Sequence, residues 1–261
     1  MSNKVGTDGI DHAAARPAVA SRDDWQALLD DLLVREKAHT RAGDAIAAAR
    51  RKLPMVEVDP SIPVIGEHGP VPLIEVFEGR CQLIAYYHMW HDGQPAENQC
   101  EGCTFFNGQI LELAYLHSRD VTYATFCQGT YEESARYHDF MGWDMPWYSA
   151  LGSLDTLLAG RHIGRMHIVC YVRDGDRVFE TYWTTLRGVE TMDNSYALMD
   201  LTVYGRQESW EDSPTGWPQQ CSNTRTGGGA PDWPPVPAWP GGRPIPQWPR
   251  LEAGRSDDLA G

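Results

Sequence analysis

The sequence predicts an α/β fold with one central sheet and helices packed against it. Between about residues 70 and 204, segments with strand periodicity alternate with segments of helical periodicity. Two cysteines, Cys100 and Cys103, lie where a buried strand gives way to a helix, and a hairpin turn at Asp174-Gly175 follows the second helix. The predicted order of elements is β-α-β-α-β-β.

An N-terminal helical arm is predicted over residues 21–54. Ser21 and Asp24 form a capping box at its start, and Pro54 stops it. We expect its apolar stripe to dock on the main domain or on a second subunit. The stripe follows the spacing i, i+3, i+4, i+7, i+8 and consists of Trp25, Leu28, Leu29, Leu32 and Leu33. Residues 1–20 lack the apolar core of a signal peptide and are predicted to be disordered.

The main domain is predicted over residues 55–210, and each element in it follows from the local pattern. Short apolar or alternating runs indicate strands, and a period of 3.6 residues indicates helices. The predicted strands are 71–77, 82–87, 121–127, 167–172 and 177–183, and the predicted helices are 104–117 and 131–141. The two strands that flank the first helix are expected to pair in parallel.

The motif Cys100-Glu101-Gly102-Cys103 indicates dithiol chemistry. A helix N-terminus favours a thiolate over a thiol, so Cys100 is the candidate nucleophile. Cys103 lies one turn further on and is the candidate resolving thiol, since thiol–disulfide exchange needs a second sulfur within bonding reach. The alternatives are half of a zinc site or two inert core thiols. No second C-x-x-C motif is present to complete a four-cysteine zinc site.

A dithiol at the first strand-to-helix junction of this element order is typical of the thioredoxin-like architecture. Two features depart from thioredoxin itself. The place where thioredoxin holds its cis-proline falls near His167, with no proline close by, because Pro146 is too far upstream. The carboxylate of Glu101 also opposes formation of a thiolate beside it.

Several short segments, in the same order, resemble the bacterial proteins catalogued as domain of unknown function 899. They are RRKLP at 50–54, GRCQLI at 79–84, SRDVT at 118–122, MGW at 141–143 with PW at 146–147, LRGV at 186–189, and MDLT at 199–202 with GR at 205–206. The resemblance covers roughly residues 24–208. It implies a thioredoxin-like fold and the activity ascribed to that family, dithiol-disulfide oxidoreduction.

Histidines near the dithiol leave a metal-binding alternative open. His91 precedes the motif in its loop, and His167 is expected to approach the motif from the neighbouring strand. Thiolate and imidazole together suit copper or zinc, so Cys100, Cys103, His91 and His167 form the candidate metal set. Copper-delivery proteins of the cytochrome oxidase assembly type use a related arrangement, although with three residues between their cysteines. In the redox interpretation, which requires no cofactor, His91 is a proton shuttle or the positive neighbour of Cys100.

Composition limits the partners and the compartment. The net charge of -14 repels nucleic acid and anionic membranes, which leaves a protein or a small-molecule thiol or disulfide as the expected partner. No apolar run reaches membrane-spanning length, and a cytoplasmic location is expected. The other four cysteines, Cys81, Cys127, Cys170 and Cys221, are then interpreted first as small apolar residues.

Residues 211–261 form a tail rich in proline, glycine and tryptophan. Trp-Pro pairs recur four times in it, and tryptophan is costly to leave in water, so we expect the tail to wrap along a surface. It could cover the dithiol cleft, bridge subunits of a homo-oligomer or bind a partner. A non-catalytic interaction module built from the arm and the tail is the third functional alternative. An aromatic patch, Trp143, Pro146, Trp147 and Tyr148, is interpreted first as core or lid packing, and a place at the border of the dithiol cleft, where it could grip an apolar substrate, is left open.

Overall fold

The computed structural model of the chain describes residues 16–208, 210–218, 247 and 250. The predicted disorder of residues 1–20 falls mostly outside the described residues, and so does most of the predicted tail at 211–261, including Cys221. Within the described residues, no helix has both the length and the apolar character needed to cross a lipid bilayer.

The described residues form one mixed sheet of eight strands. Its spatial order is β1-β8-β7-β4-β5-β6-β2-β3. The strands are β1 (Val56–Val58), β2 (Pro63–Gly66), β3 (Gly69–Pro72), β4 (Gln82–His88), β5 (Val121–Cys127), β6 (Trp147–Ser149), β7 (His167–Asp174) and β8 (Arg177–Thr185). The α-helices are α1 (Arg22–Arg50), α2 (Glu101–Asn107), α3 (Ala114–His117), α4 (Tyr131–Met141), α5 (Leu154–Leu157) and α6 (Asn194–Met199).

The centre of the sheet has the thioredoxin-like topology that the sequence predicts. β4 and β5 pair in parallel across α2, β7 pairs antiparallel to β4, and β8 returns antiparallel to β7. The predicted order β-α-β-α-β-β is therefore present between residues 82 and 185. β6 adds a further parallel strand beside β5, and the hairpin of β2 and β3 extends that edge.

Two local predictions are wrong, each for a physical reason, and one strand was not predicted. Residues 71–77, predicted as a strand, form the end of β3 followed by a 3-10 helix, Leu73–Phe77, because apolar side chains three and four residues apart bury together there. The helix predicted over 104–117 is divided between α2, which ends at Asn107 with Gly108 as its C-cap, and α3, because asparagine and glycine have low helix propensity. The aromatic patch includes β6, a strand too short for period-2 alternation to be visible in the sequence.

The two faces of the sheet carry separate apolar clusters. Along β4, Leu83, Ala85 and Tyr87 face one cluster with the 3-10 helix and α5. Tyr86 faces the other cluster, which contains α2 and α4. This alternation is the strand period of two, and it places the dithiol helix on the face of Tyr86.

The arm is a single helix of 29 residues, α1. Ser21 caps the start of α1 as predicted: its Oγ accepts a hydrogen bond from the backbone N–H of Asp24 at 3.2 Å and donates one to the Asp24 carboxylate at 2.7 Å. The predicted docking of its apolar stripe on the main domain is not found: no α1 residue is buried among the described residues. The helix contacts the sheet near its C-terminal end, where the Arg50 guanidinium lies 5.0 Å from the centre of the Tyr182 ring.

Candidate functional site

The dithiol lies at the start of α2, at the carboxyl edge of the central strands. β4 ends at His88, and a loop that includes the 3-10 helix Ala96–Asn98 leads to Cys100. Cys100 is the N-cap of α2, and its sulfur accepts a hydrogen bond from the backbone N–H of Cys103 at 3.4 Å. Because that N–H belongs to the first turn of the helix, one turn of backbone holds both cysteines on the same side of α2.

The two thiols differ in exposure and environment. Cys100 is 8% exposed, whereas Cys103 is completely buried. Burial raises the pKa of the Cys103 thiol well above its ordinary value, and the neighbouring Cys100 adds to that rise. The Tyr86 hydroxyl and the backbone N–H of Met89, which lies 3.3 Å from the Cys103 sulfur, act in the opposite direction on the same pKa. Cys103 is therefore a protonated, inaccessible thiol in the reduced protein, and Cys100 is the thiol that a reagent meets first.

Buried hydrogen bonds fix α2 in position beneath the dithiol. Thr104 Oγ1 donates to the Cys100 carbonyl at 2.8 Å and lies 2.6 Å from the hydroxyl of Tyr137 on α4. Asn107 Oδ1 accepts from the hydroxyls of Tyr123 and Thr125 on β5, at 2.5 Å and 3.0 Å. The first turn of α2 is thus tied to α4, and its last turn is tied to the sheet.

His88 is buried in an aromatic cluster beside the dithiol loop. Its Nδ1 lies 2.6 Å from the Met89 carbonyl, so this nitrogen carries the proton and donates it. Burial lowers the pKa of His88 to about 3, which keeps the ring neutral. Five aromatic rings, with centroids between 5.4 Å and 6.4 Å away, enclose it: Tyr86, Trp90, Tyr137, Trp143 and Trp147. Two members of the aromatic patch, Trp143 and Trp147, therefore pack on His88 on the dithiol side of the sheet. Tyr148 lies on the opposite face, where its ring packs on Phe126.

His91 lies in the dithiol loop, as its place in the sequence indicates. Gln99, the residue before Cys100, holds it by two hydrogen bonds: the His91 N–H donates to Gln99 Oε1 at 3.1 Å, and Gln99 Nε2 donates to the His91 carbonyl at 2.9 Å. These bonds fix the backbone of His91 next to the motif. The catalytic role of its imidazole stays a prediction.

His167 lies on the strand next to β4, as predicted, but on the opposite face of the sheet from the dithiol. It pairs with Tyr87, and its ring packs on the rings of Tyr87 and Trp183, while its Nε2 donates to the His162 carbonyl at 2.9 Å. The predicted approach of His167 to the motif is therefore wrong. Among residues 16–208 and 210–218, no three His, Cys, Asp or Glu side chains are grouped so that they could hold a metal ion.

Two described residues of the tail contact the dithiol region. Gln247 is completely buried, and its Nε2 donates to the carbonyls of Ala96 and Gln99 at 3.1 Å and 3.4 Å. Arg250 donates to the carbonyl of Met141, at the end of α4, at 2.8 Å. Gln247 therefore packs on the loop immediately before Cys100, and Arg250 binds the C-terminal end of α4.

The sequence of residues 14–224 matches a family described as bacterial protein of unknown function, DUF899. The chain belongs to this family. The match includes the whole span of the short segments that carry the resemblance, and the DUF899 region thus contains the arm, the sheet and the dithiol. No curated protein matches the chain in sequence.

Solved structures similar to this DUF899 protein include two thioredoxin-fold peroxiredoxins. A mutant of peroxiredoxin Q from Xanthomonas campestris has a TM-score of 0.38 and 10% sequence identity, and the similarity covers 52% of this chain and 87% of that one. A mutant of peroxiredoxin 6 from Arenicola marina has a TM-score of 0.35 and 12% identity, with 62% and 81% covered.

Several residues of the site were not predicted from the sequence. Tyr86, Asn107, Thr104 and Gln247 carry no motif, and the contacts of Gln247 bridge 148 and 151 residues of chain. The sequence contains a signal for Tyr86 alone: the alternation of side chains along β4 places it on one face of a buried strand.

Proposed function

We propose that this DUF899 protein is a thiol-disulfide oxidoreductase in which Cys100 attacks and Cys103 resolves. The observation that carries the proposal is the 3.4 Å hydrogen bond from the Cys103 N–H to the Cys100 sulfur, at the start of a helix in a thioredoxin-like sheet. This contact holds the two cysteines one helical turn apart on the same side of α2. Two thiols in that relation form a disulfide without large movement of the backbone.

The reaction transfers two electrons from the dithiol to a disulfide substrate. The Cys100 thiolate attacks one sulfur of the substrate, a mixed disulfide forms, and the first substrate thiolate leaves. Cys103 then gives up its proton, which a released substrate thiolate takes, and attacks the Cys100 sulfur. This forms the Cys100–Cys103 disulfide and releases the second half of the substrate as a thiolate. A dithiol or thiol reductant reverses these steps and restores the enzyme.

The roles follow from the environments of the two sulfurs. Cys100 is the more exposed, so an incoming disulfide reaches it first. Cys103 is buried and its pKa is raised by that burial, so it stays protonated and does not compete for substrate. The Met89 N–H, 3.3 Å from the Cys103 sulfur, lowers the pKa of that thiol against the effect of burial, and the Tyr86 hydroxyl acts in the same direction. The Met89 N–H is thus placed to stabilise the Cys103 thiolate when it attacks.

A trapping experiment tests this assignment of roles. Reduced protein is mixed with a chromogenic aromatic disulfide, and the species formed are measured by intact mass. We expect Cys103→Ser to accumulate a mixed disulfide at Cys100, and Cys100→Ser to form none at Cys103, because the latter sulfur is inaccessible. Cys81→Ser, which removes a half-buried thiol outside the site, is the matched control. Equal labelling of the two single variants would contradict the proposal.

A further inference from the structure

Helix α1 presents an apolar face that no described part of the chain covers. Leu28 is 70% exposed, Ile46 is 54% exposed, and Trp25 is 46% exposed. An apolar face of this length on a charged helix indicates an interaction surface, because its exposure to water is unfavourable.

The apolar face of α1 follows a coiled-coil repeat. Positions alternately three and four residues apart place one side chain after another along a single seam of the helix. These seam positions are Trp25, Leu28, Leu32, Arg35, His39, Ala42, Ile46 and Ala49. The seam is apolar at both ends and polar in the middle, and its large residues are concentrated in the N-terminal half.

The N-terminal half of the arm is acidic and its C-terminal half is basic. Residues 22–36 contain five acidic and two basic side chains, whereas residues 37–51 contain one acidic and four basic side chains. Two copies in parallel would therefore set like charges side by side. Two copies in opposite directions set the acidic half of each against the basic half of the other.

We propose that α1 pairs with α1 of a second copy of this chain as an antiparallel, two-fold symmetric coiled coil centred near residue 37. In this register Trp25 of one copy meets Ala49 of the other, Leu28 meets Ile46, and Leu32 meets Ala42. The larger side chain of each pair, in the N-terminal half, lies opposite a smaller or branched one. Arg35 and His39 meet at the centre, where polar seam residues fix the register of a coiled coil.

The attachment of α1 to the sheet fits this arrangement. The main domain follows the C-terminal end of the helix, where Arg50 stacks on Tyr182. Antiparallel pairing places the two main domains at opposite ends of a helix that is ~43 Å long, at 1.5 Å per residue, so they do not collide. The interface is isologous, as closed dimers require, and its seam includes no residue of the dithiol site.

The first test is the mass of the full-length protein in solution. Light scattering or sedimentation equilibrium at micromolar concentration should give a dimer, and the double variant Leu28→Glu/Leu32→Glu should give a monomer. Because α1 contributes no buried side chain to the described fold, the monomeric variant should keep the circular dichroism and the melting behaviour of the main domain. The matched control is Leu111→Glu, because Leu111 lies outside the arm and is 76% exposed. This variant should stay dimeric.

A second test addresses the relative direction of the two paired helices. Antiparallel pairing brings residue 38 of each copy together near the two-fold axis and separates the two residues 49 by ~36 Å. Ala38→Cys should therefore form disulfide-linked dimers above the wild-type background on mild oxidation, and Ala49→Cys should not. A monomeric wild type, a dimer that survives the arm substitutions, or linkage through position 49 would each overturn the proposal. The first two results would indicate that the tail or a different protein covers the seam.

Discussion

At the scale of single residues, the site is defined by differences in burial between chemically similar groups. Cys100 and Cys103 are both thiols, yet only Cys100 retains any exposure, at 8%. His88 and His91 lie three residues apart, yet His88 is enclosed by aromatic rings and is neutral, whereas His91 is half-buried in the dithiol loop. Identical side chains therefore have different chemical roles according to the cluster into which each is packed.

His88 is expected to make stability depend on pH. Burial lowers its pKa to about 3 in the folded protein, whereas an unfolded histidine has a pKa of about 6.5. Between these values the unfolded chain binds a proton that the folded chain does not. The free energy of unfolding should therefore fall as pH decreases from about 6.5, by up to about 1.4 kcal/mol per pH unit from this group.

Chemical denaturation at pH 5, 6 and 7 checks this expectation. His88→Phe should have a shallower pH slope than the wild type, and the control His68→Phe, at an exposed histidine, should keep the wild-type slope. His88→Phe also lowers the free energy of unfolding by an amount independent of pH, because the Met89 carbonyl loses its hydrogen-bond donor. That amount does not affect the comparison of pH slopes. The same slope in all three proteins would show that His88 is not buried as a neutral ring.

Among the elements, α2 is short, and side-chain hydrogen bonds to its neighbours stabilise it more than its own backbone hydrogen bonds do. Seven residues are too few for a helix that is stable alone, so packing and hydrogen bonds must hold it. Asn107 is the anchor at its C-terminal end, where its Oδ1 accepts from two hydroxyls of β5. Thr104 fastens its N-terminal end to α4 through Tyr137.

Asn107→Leu should destabilise the protein and make the buried Cys103 more accessible. The substitution leaves the hydroxyls of Tyr123 and Thr125 buried without their acceptor, at a cost of roughly 1–3 kcal/mol for each such group. Urea denaturation should show this loss, and Cys103 should become accessible to alkylation in the native protein. Asn194→Ala, at an exposed position of α6, is the control and should change neither quantity. Wild-type stability in Asn107→Leu would show that α2 is held by other contacts.

The sequence predicts those elements whose pattern is local. β4, β5 and α4 were predictable because each carries a clear apolar period, and Ser21 because a capping box is confined to four residues. β6 was missed because three residues carry no period. The face on which His167 lies was missed because one residue of register decides it, and register depends on pairing across the sheet.

At the scale of the whole molecule, the two ends of the chain have different relations to the sheet. The N-terminal arm packs little against it, whereas Gln247 and Arg250 return to the dithiol region from the far end of the sequence. No local pattern could predict that return, since it joins residues between 109 and 151 positions apart. The tryptophan content indicated only that the tail would pack against some surface.

Truncation after Pro218 should therefore affect both stability and reactivity. It removes the hydrogen bonds from Gln247 to the carbonyls of Ala96 and Gln99, each worth roughly 0.5–1.5 kcal/mol, together with the Arg250 contact at Met141. We expect a lower melting temperature and faster alkylation of Cys100. Gln247→Ala in the full chain should shift both quantities in the same direction by less, and Gln26→Ala, on the exposed face of α1, should shift neither. An unchanged melting temperature and alkylation rate after truncation would show that the tail does not hold the dithiol loop.

If Cys100 and Cys103 form a reversible dithiol, mild oxidation of the native protein should join them, and peptide mapping detects that bond. Reduced and oxidised samples are alkylated under denaturing conditions, digested and measured by mass. We expect oxidation to join Cys100 to Cys103 in one peptide, Cys81, Cys127 and Cys170 to stay alkylated in both samples, and a dithiol reductant to restore the first pattern. Alkylation of both Cys100 and Cys103 in an oxidised, fully folded sample would contradict the claim.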